Sequence, residues 1–146
     1  MPHTWTKDEF TLSTDPALLD LDVIHGFLAT CYWTPGIPRE LVARQVANSL
    51  SFGLFHAGTQ IGFARLVTDM ASFAYLADVF VLPEFRGRGL ARWMTALMLD
   101  HPELQTVRRW LLSTADAHGV YAEVGFGPLP EPGRYMTIKR PQPWAP

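Results

Sequence analysis

A glycine-rich turn with three arginines has residue types and spacing suited to binding an anion. The run Arg86-Gly87-Arg88-Gly89-Leu90-Ala91-Arg92 follows the apolar stretch 78–83 and opens an amphipathic stretch that ends at Leu99. Glycine permits backbone angles that are closed to other residues and lets a ligand approach the main chain. The free N–H groups and the dipole at the start of a helix favour an anion. The segment therefore predicts a strand, a turn and a helix that together hold a phosphate group, most simply a pyrophosphate.

The residues that this turn lacks narrow the choice of ligand. A Walker loop needs Gly-Lys-Ser/Thr at its end, whereas Leu90 and Ala91 follow Gly89. A dinucleotide fingerprint needs a third glycine where Arg92 stands. ATP, GTP and NAD are therefore poor fits.

The turn is the first of two short patterns, separated by enough chain for one helix and one strand. The first pattern, Arg-x-x-Gly-x-Ala, consists of Arg86, Gly89 and Ala91. The second consists of Ala117, Tyr121 and the pair Gly125-Phe126, after a predicted buried strand at 110–114. Together they resemble the acetyl-CoA site of the GNAT superfamily of N-acyltransferases. The resemblance implies an α+β fold, in which helices flank a mixed, mostly antiparallel central sheet, and one domain over residues 1–146.

The resemblance implies that main-chain groups hold acetyl-CoA as the acyl donor. The residues expected to contact this cofactor are Val79, Phe80, Val81, Arg86, Gly87, Arg88, Gly89, Leu90, Ala91, Arg92 and Thr114. The strand residues 79–81 are expected to offer their backbone to the pantetheine arm, and residues 87–92 to offer theirs to the pyrophosphate. Thr114 stands where many family members have asparagine. A hydroxyl has fewer hydrogen-bonding partners than an amide, so this substitution leaves the role of Thr114 open.

A thioester already carries an activated acyl group, so transfer to an amine needs orientation and proton transfer but no covalent enzyme intermediate. Tyr121 matches the family tyrosine and is expected to be the general acid, because a phenol with a pKa of about 10 stays protonated at neutral pH. Asp78 is the leading candidate for the general base, ahead of His118 and His25, and the resemblance also allows ordered water in this role. The alternative is that Asp78 pairs with Arg65 on the adjacent predicted strand.

Two aromatic residues and one arginine are the candidates for binding the acceptor. By the resemblance, Tyr32 and Trp33 lie in a loop that borders it, and aromatic rings there suit a cation. The alternative is that both rings only anchor the loop to the core. Arg65 favours the opposite kind of acceptor, one with a carboxylate such as an amino acid.

Three functions remain open on this basis. The resemblance favours an acetyl-CoA-dependent N-acetyltransferase for the amine of a small molecule or amino acid. The alternatives are an enzyme that acts on a protein lysine or N-terminus, and a non-catalytic acyl-CoA-binding regulatory domain. A homodimer is compatible with the resemblance, because family members often dimerise.

Composition excludes several other classes of function. At 146 residues and 48% hydrophobic, the chain can bury a core without disulfides or metal. The single Cys31 excludes an internal disulfide and a multi-cysteine zinc site, so no metal is expected, and a buried, unreactive thiol is predicted there. A net charge of −2 gives no support to nucleic-acid binding. The absence of a leader or a bilayer-spanning stretch predicts a cytoplasmic protein without a membrane partner.

The elements that must position these residues follow from periodicity and turn signals. Strands are predicted at 5–13, 51–56, 61–68, 71–82, 109–113 and 135–139. Helices are predicted after Asp15, through 41–46, at 88–99 and around Tyr121, with a tail at 141–146.

Overall fold

The computed structural model describes residues 1–144 and has a six-stranded sheet at its centre. The strands are β1 (Thr4–Lys7), β2 (Phe10–Ser13), β3 (Leu50–His56), β4 (Thr59–Thr68), β5 (Phe73–Val81) and β6 (Arg109–Leu111). The helices are α1 (Leu21–Leu28), α2 (Arg39–Ala47), α3 (Leu90–Leu99) and α4 (His118–Ala122). Strands neighbour one another in chain order and are antiparallel except for the parallel pair β5 and β6. This single-domain arrangement confirms the predicted α+β class.

Two groups of buried side chains cover the two faces of the sheet. Successive residues of a strand point to opposite faces. On β5, Phe80 joins the group that contains residues of α1 and α2, and Val81 joins the group that contains residues of α3. Full burial of one large apolar side chain contributes about 1.5–3 kcal/mol. The helices are therefore held against the sheet on both sides, and β5 lies between the two cores.

The N-terminal segment differs from the prediction in two places. Residues 5–13 are not one strand, because Asp8 adopts a left-handed φ of +54° and folds the chain into the hairpin of β1 and β2. The helix expected after Asp15 is only a 3-10 turn at Pro16–Leu18. The α-helix begins after Asp20, whose carboxylate accepts hydrogen bonds from the first backbone amides of α1.

The predicted final strand is also absent. Residues 135–139 have no strand pairing. Met136 and Ile138 are 97% and 83% exposed. Their alternating pattern predicted a strand, but no neighbouring strand pairs with them within the described residues.

Helix lengths also bear on membrane insertion. The longest helix among residues 1–144 is α3, with ten residues. A bilayer requires about 20 apolar residues in a helix. None of the described helices is long and apolar enough to cross a membrane.

Candidate active site

The turn between β5 and α3 contains two glycines in the left-handed region. Gly87 has a φ of +79°, and Gly89, which directly precedes α3, has a φ of +72°. Within residues 1–144, the backbone N–H groups of residues 87–92 donate to no protein acceptor. They border a cavity of about 340 Å³. Unpartnered amides at a helix N-terminus attract anions, so the turn suits a pyrophosphate.

The three arginines of this turn have different partners. Arg86 donates from Nε to the carbonyl of the last β5 residue at 2.9 Å, which closes the turn. Arg92 donates from Nη1 to Oε2 of Glu123 at 2.9 Å. Both arginines line the cavity, whereas Arg88 lies over the ring of Phe85. The side chains of Arg86 and Arg92 are therefore next to the predicted pyrophosphate site, whereas the side chain of Arg88 is directed to Phe85.

β5 and β6 separate soon after they pair. Their ladder covers only residues 73–75 of β5, and β5 continues alone on this side to Val81. Phe80 and Val81 are 4% and 7% exposed, since their side chains belong to the cores. Beyond the ladder, β5 can therefore offer its main chain to a ligand. This stretch includes the predicted pantetheine contacts Val79, Phe80 and Val81. A ligand arm with amide groups can continue such a ladder.

Thr114 holds the turn that leads into α4. Its Oγ1 accepts hydrogen bonds from the backbone N–H groups of Ala117 at 3.0 Å and of Asp116 at 3.4 Å. Local bonds of this kind are typical of threonine in turns. Any contact of Thr114 with a cofactor would therefore have to come from its own O–H, which donates to no group in the described residues.

Tyr121 lies in α4 and borders the space between the separating strands. Its ring meets that of Phe126 edge-on, with centroids 6.0 Å apart. Burial raises the pKa of the Tyr121 phenol above its usual value, and the nearby Asp116 and Tyr32 raise it further. Tyr121 therefore keeps its proton at neutral pH, as a general acid must.

Asp78 occupies a bulge in β5. It adopts a left-handed φ of +55°, and the pairing with β4 shifts at this point, from Ala77 opposite Arg65 to Phe80 opposite Phe63. A bulge changes the direction of a side chain relative to a regular strand. Sequence alternation alone could not place this carboxylate.

Both carboxylate oxygens of Asp78 already accept hydrogen bonds. Oδ2 accepts from Nε of Arg65 at 2.6 Å, and Oδ1 accepts from Nε1 of Trp33 at 2.8 Å. The side chains of Asp78 and Arg65 are only 7% and 14% exposed. Arg65 also donates from Nη1 to Oγ of Ser49 at 3.1 Å. The structure shows the ion pair that was the alternative to the general base, and the second carboxylate oxygen is occupied by the indole of Trp33.

A second cavity, of about 460 Å³, brings the predicted acceptor residues together. Tyr32, Trp33 and Arg65 all line it, together with Tyr121. Tyr32 is 64% exposed, and its ring meets that of Trp33 edge-on at a centroid distance of 5.1 Å. The loop is therefore both anchored, through Trp33, and open to the cavity, through Tyr32.

Two residues of the C-terminal segment bind the loop that contains Tyr32 and Trp33. The sequence predicts only a tail at these positions. Gln142 donates from Nε2 to the carbonyl of Trp33 at 2.8 Å. Trp144 donates from Nε1 to the carbonyl of Pro35 at 3.0 Å. The one available signal was the tryptophan itself, which is an unusual residue for an unattached tail.

The remaining candidates have structural partners or lie at the edge of the site. Sγ of Cys31 donates to the carbonyl of Leu28 at 3.2 Å, and the residue packs beside α1 but is only partly buried, not fully buried as predicted. His25 bonds through Nε2 to the carbonyl of Ile37 at 2.9 Å and so joins α1 to the loop. His118 is exposed at the start of α4 and does not line the cavity that holds Tyr32 and Trp33.

Comparison with known proteins agrees with this geometry. The profile of the Acetyltransferase (GNAT) family matches residues 18–126. A candidate acetyltransferase from Gibberella zeae is 34% identical over 138 residues, which cover 79% of this chain and 77% of that protein. The crystal structure of a candidate GNAT acetyltransferase from Xanthomonas campestris pv. campestris is 45% identical, with a TM-score of 0.89, over 94% of this chain and 97% of that one. At 14% identity and a TM-score of 0.63, a Clostridium acetobutylicum acetyltransferase solved with acetyl-CoA shares the fold over 95% of this chain and 96% of its own.

Proposed function

The chain belongs to the GNAT acetyltransferase family, and on that premise we propose that it transfers an acetyl group from acetyl-CoA to the primary amine of a small molecule. One observation supports acetyl-CoA as the acyl donor above all others. The backbone amides of residues 87–92, which have no protein acceptor, lie just beyond the stretch of β5 that does not pair with β6. Together they match the two polar parts of the cofactor, a diphosphate and an amide-containing arm.

The residues present fit this cofactor. The backbone of residues 87–92 would hold the diphosphate, with Arg86 and Arg92 beside it, and the main chain of residues 79–81 would bind the pantetheine amides. When bound, acetyl-CoA supplies an acyl group activated as a thioester. Tyr121 keeps a proton on its phenol oxygen and offers it to a leaving thiolate, a contribution typically worth about 10² to 10⁴ in rate.

We assign Asp78 a positioning role in place of the general-base role. Its carboxylate orients the indole of Trp33 and the guanidinium of Arg65, and it thereby fixes one wall of the acceptor cavity. The amine proton would then pass to water, since the cavity is open to solvent at Tyr32.

The size and lining of the acceptor cavity support the proposed function over its two alternatives. A cavity of about 460 Å³ lies in the range that binds small molecules. A protein lysine or N-terminus would instead need an extended groove. A purely acyl-CoA-binding domain would have no need of a protonated tyrosine beside a cavity lined by Tyr32 and Trp33.

Location and assembly stay predictions. We propose the cytoplasm, where a free thiol such as Cys31 stays reduced. A homodimer would be detected by light scattering coupled to size-exclusion chromatography.

Two measurements test the function. Calorimetry should detect acetyl-CoA binding to the purified protein, and amines should release free thiol from acetyl-CoA in the presence of the protein. Binding without thiol release by any amine would support the regulatory-domain alternative. Absence of binding by folded protein would overturn the assignment of the donor site.

A further inference from the structure

The charges that face the acceptor cavity are few and can be counted one by one. Among the residues that line it, the ionised groups are Arg65, Asp78 and Asp116. Arg65 and Asp78 form one ion pair with an Nε–Oδ2 distance of 2.6 Å, so their charges cancel. What remains for a ligand is the charge of Asp116.

Asp116 has no cationic partner in the described structure. Residues 1–144 place no lysine, arginine or histidine nitrogen within 4.0 Å of its carboxylate. Its backbone N–H is directed to Thr114, which fixes the turn that carries it at the rim of the cavity. The same charge is felt across the cavity, because Asp116 contributes to the raised pKa of Tyr121.

Four aromatic rings are also part of the cavity lining. Tyr32, Trp33, Tyr75 and Tyr121 line this cavity, and Leu76, Val79 and Leu112 add apolar surface. The faces of aromatic rings attract cations, and they also pack well against an aromatic or aliphatic body. The cavity therefore combines one uncompensated negative charge with a mixed lining that includes several aromatic rings.

We infer that the acceptor is a small primary amine that arrives as an ammonium ion, has an aromatic or aliphatic body, and lacks a carboxylate next to the amine. This inference rests on the proposed function and names the substrate class of the same site. It chooses between the two options that the sequence left open, a cation for the aromatic rings and a carboxylate for Arg65.

The partners of Arg65 disfavour a free amino acid as the acceptor. Its Nε is directed to Asp78 and its Nη1 to Ser49, so the guanidinium is already oriented and its charge is neutralised within the wall. A substrate carboxylate in this cavity would meet the charge of Asp116, and the one cation in the lining, Arg65, is already paired with Asp78. Like charges in a partly desolvated site disfavour binding.

Matched pairs of acceptors test the inference directly. Tyramine and L-tyrosine differ only by the carboxylate, as do 2-phenylethylamine and L-phenylalanine. We expect kcat/KM with acetyl-CoA to be at least tenfold higher for each amine than for its amino acid. An equal or higher value for the amino acids would overturn the inference.

Asp116→Asn tests the residue that carries the argument, and Asp100→Asn is its matched control. Both positions are exposed, but Asp100 lies at the end of α3, outside the cavity. We expect Asp116→Asn to raise the KM for tyramine about two- to fivefold, the range for one exposed ionic contact, without changing the KM for acetyl-CoA. An unchanged KM for tyramine, or an equal effect in the control, would contradict the assignment of Asp116.

A binding measurement separates this inference from the proposed function. Calorimetric titration of tyramine and of tyrosine into the protein saturated with free coenzyme A requires no turnover. Preferential binding of tyramine without thiol release would support the acceptor class and contradict the enzyme assignment. Thiol release with a preference for tyrosine would support the enzyme assignment and contradict the acceptor class. If neither compound binds, the inference is overturned.

Discussion

Asp78 and Trp33, 45 positions apart in the chain, are joined by a hydrogen bond of 2.8 Å from the indole Nε1 to Oδ1. The bond links the strand that is expected to bind the acyl donor to the loop that is expected to bind the acceptor. The two binding regions therefore share one anchoring carboxylate.

Asp78→Asn is expected to lower the free energy of unfolding by about 3 kcal/mol, because it leaves the mostly buried guanidinium of Arg65 without its counter-charge. Urea titration measures this change. Asp22→Asn removes an exposed ion pair with Arg39 and should cost less than about 1 kcal/mol. If Asp78 were the general base, the fall of kcat/KM at low pH would disappear in its asparagine variant. We expect the variant and the native protein to show the same fall.

Tyr121→Phe is expected to lower kcat by about 10² or more, because the variant has no proton for the leaving thiolate. The affinity for acetyl-CoA should change little, since the predicted contacts of the cofactor are main-chain groups. In the native enzyme, any fall in kcat assignable to Tyr121 should be centred above the ordinary phenol pKa of about 10, because burial raises the pKa of this phenol. An unchanged kcat in the variant would remove Tyr121 from the reaction.

Gly89→Glu is expected to abolish acetyl-CoA binding. Gly89 has a φ of +72°, which strains any other residue, and a carboxylate there would repel the diphosphate. Gly133→Glu is the control, since a Cβ at Gly133 meets nothing within 4 Å and the residue lies outside the turn. Calorimetry measures both. Normal binding by Gly89→Glu would show that the diphosphate site has been misplaced.

The double variant Gln142→Ala/Trp144→Ala is expected to raise the KM for the amine severalfold and to leave the KM for acetyl-CoA unchanged. Both side chains hold the acceptor loop through its carbonyls, at Trp33 and Pro35. Met136→Ala, a change at a fully exposed side chain in the same segment, is the control. Equal KM values in all three proteins would mean that the loop holds its position without the C-terminal segment.

Stability should fall in mild acid because of His101. The residue is 1% exposed, and its Nδ1 accepts a hydrogen bond from the backbone N–H of Glu103 at 3.0 Å. Burial lowers the pKa of His101, the neighbouring His3 lowers it further, and Glu103 opposes the shift. The unfolded chain therefore binds a proton more readily than the folded protein, so the contribution of His101 is complete above pH 6.5 and is lost below it.

Urea titrations at pH 7.5 and 5.5 measure the effect of His101. The loss of unfolding free energy between these pH values should be smaller in His101→Gln than in the native protein. His118→Gln, at an exposed position, should behave like the native protein. The same loss in all three proteins would contradict the role of His101.

The sequence predicted the turn and the helix that carry the candidate site because their signals are local. The turn at 87–92 and the helix of Tyr121 depend on glycine spacing and short-range periodicity, and the structure contains both elements. Three features were not predictable in this way. The bulge at Asp78, the divergence of β5 from β6 and the attachment of Trp144 all depend on contacts between distant segments. The strand predicted at 135–139 failed for the same reason, since alternation shows that a segment can pair but not whether a partner is available.

The sheet ends on both sides in a short strand. β1 has four residues and carries Lys7, and β6 has three and begins with Arg109. A brief, positively charged margin is a poor template for adding strands from other molecules. The early separation of β6 from β5 leaves one further stretch of main chain without a strand partner, and that stretch lines the ligand space instead of the outer margin of the sheet.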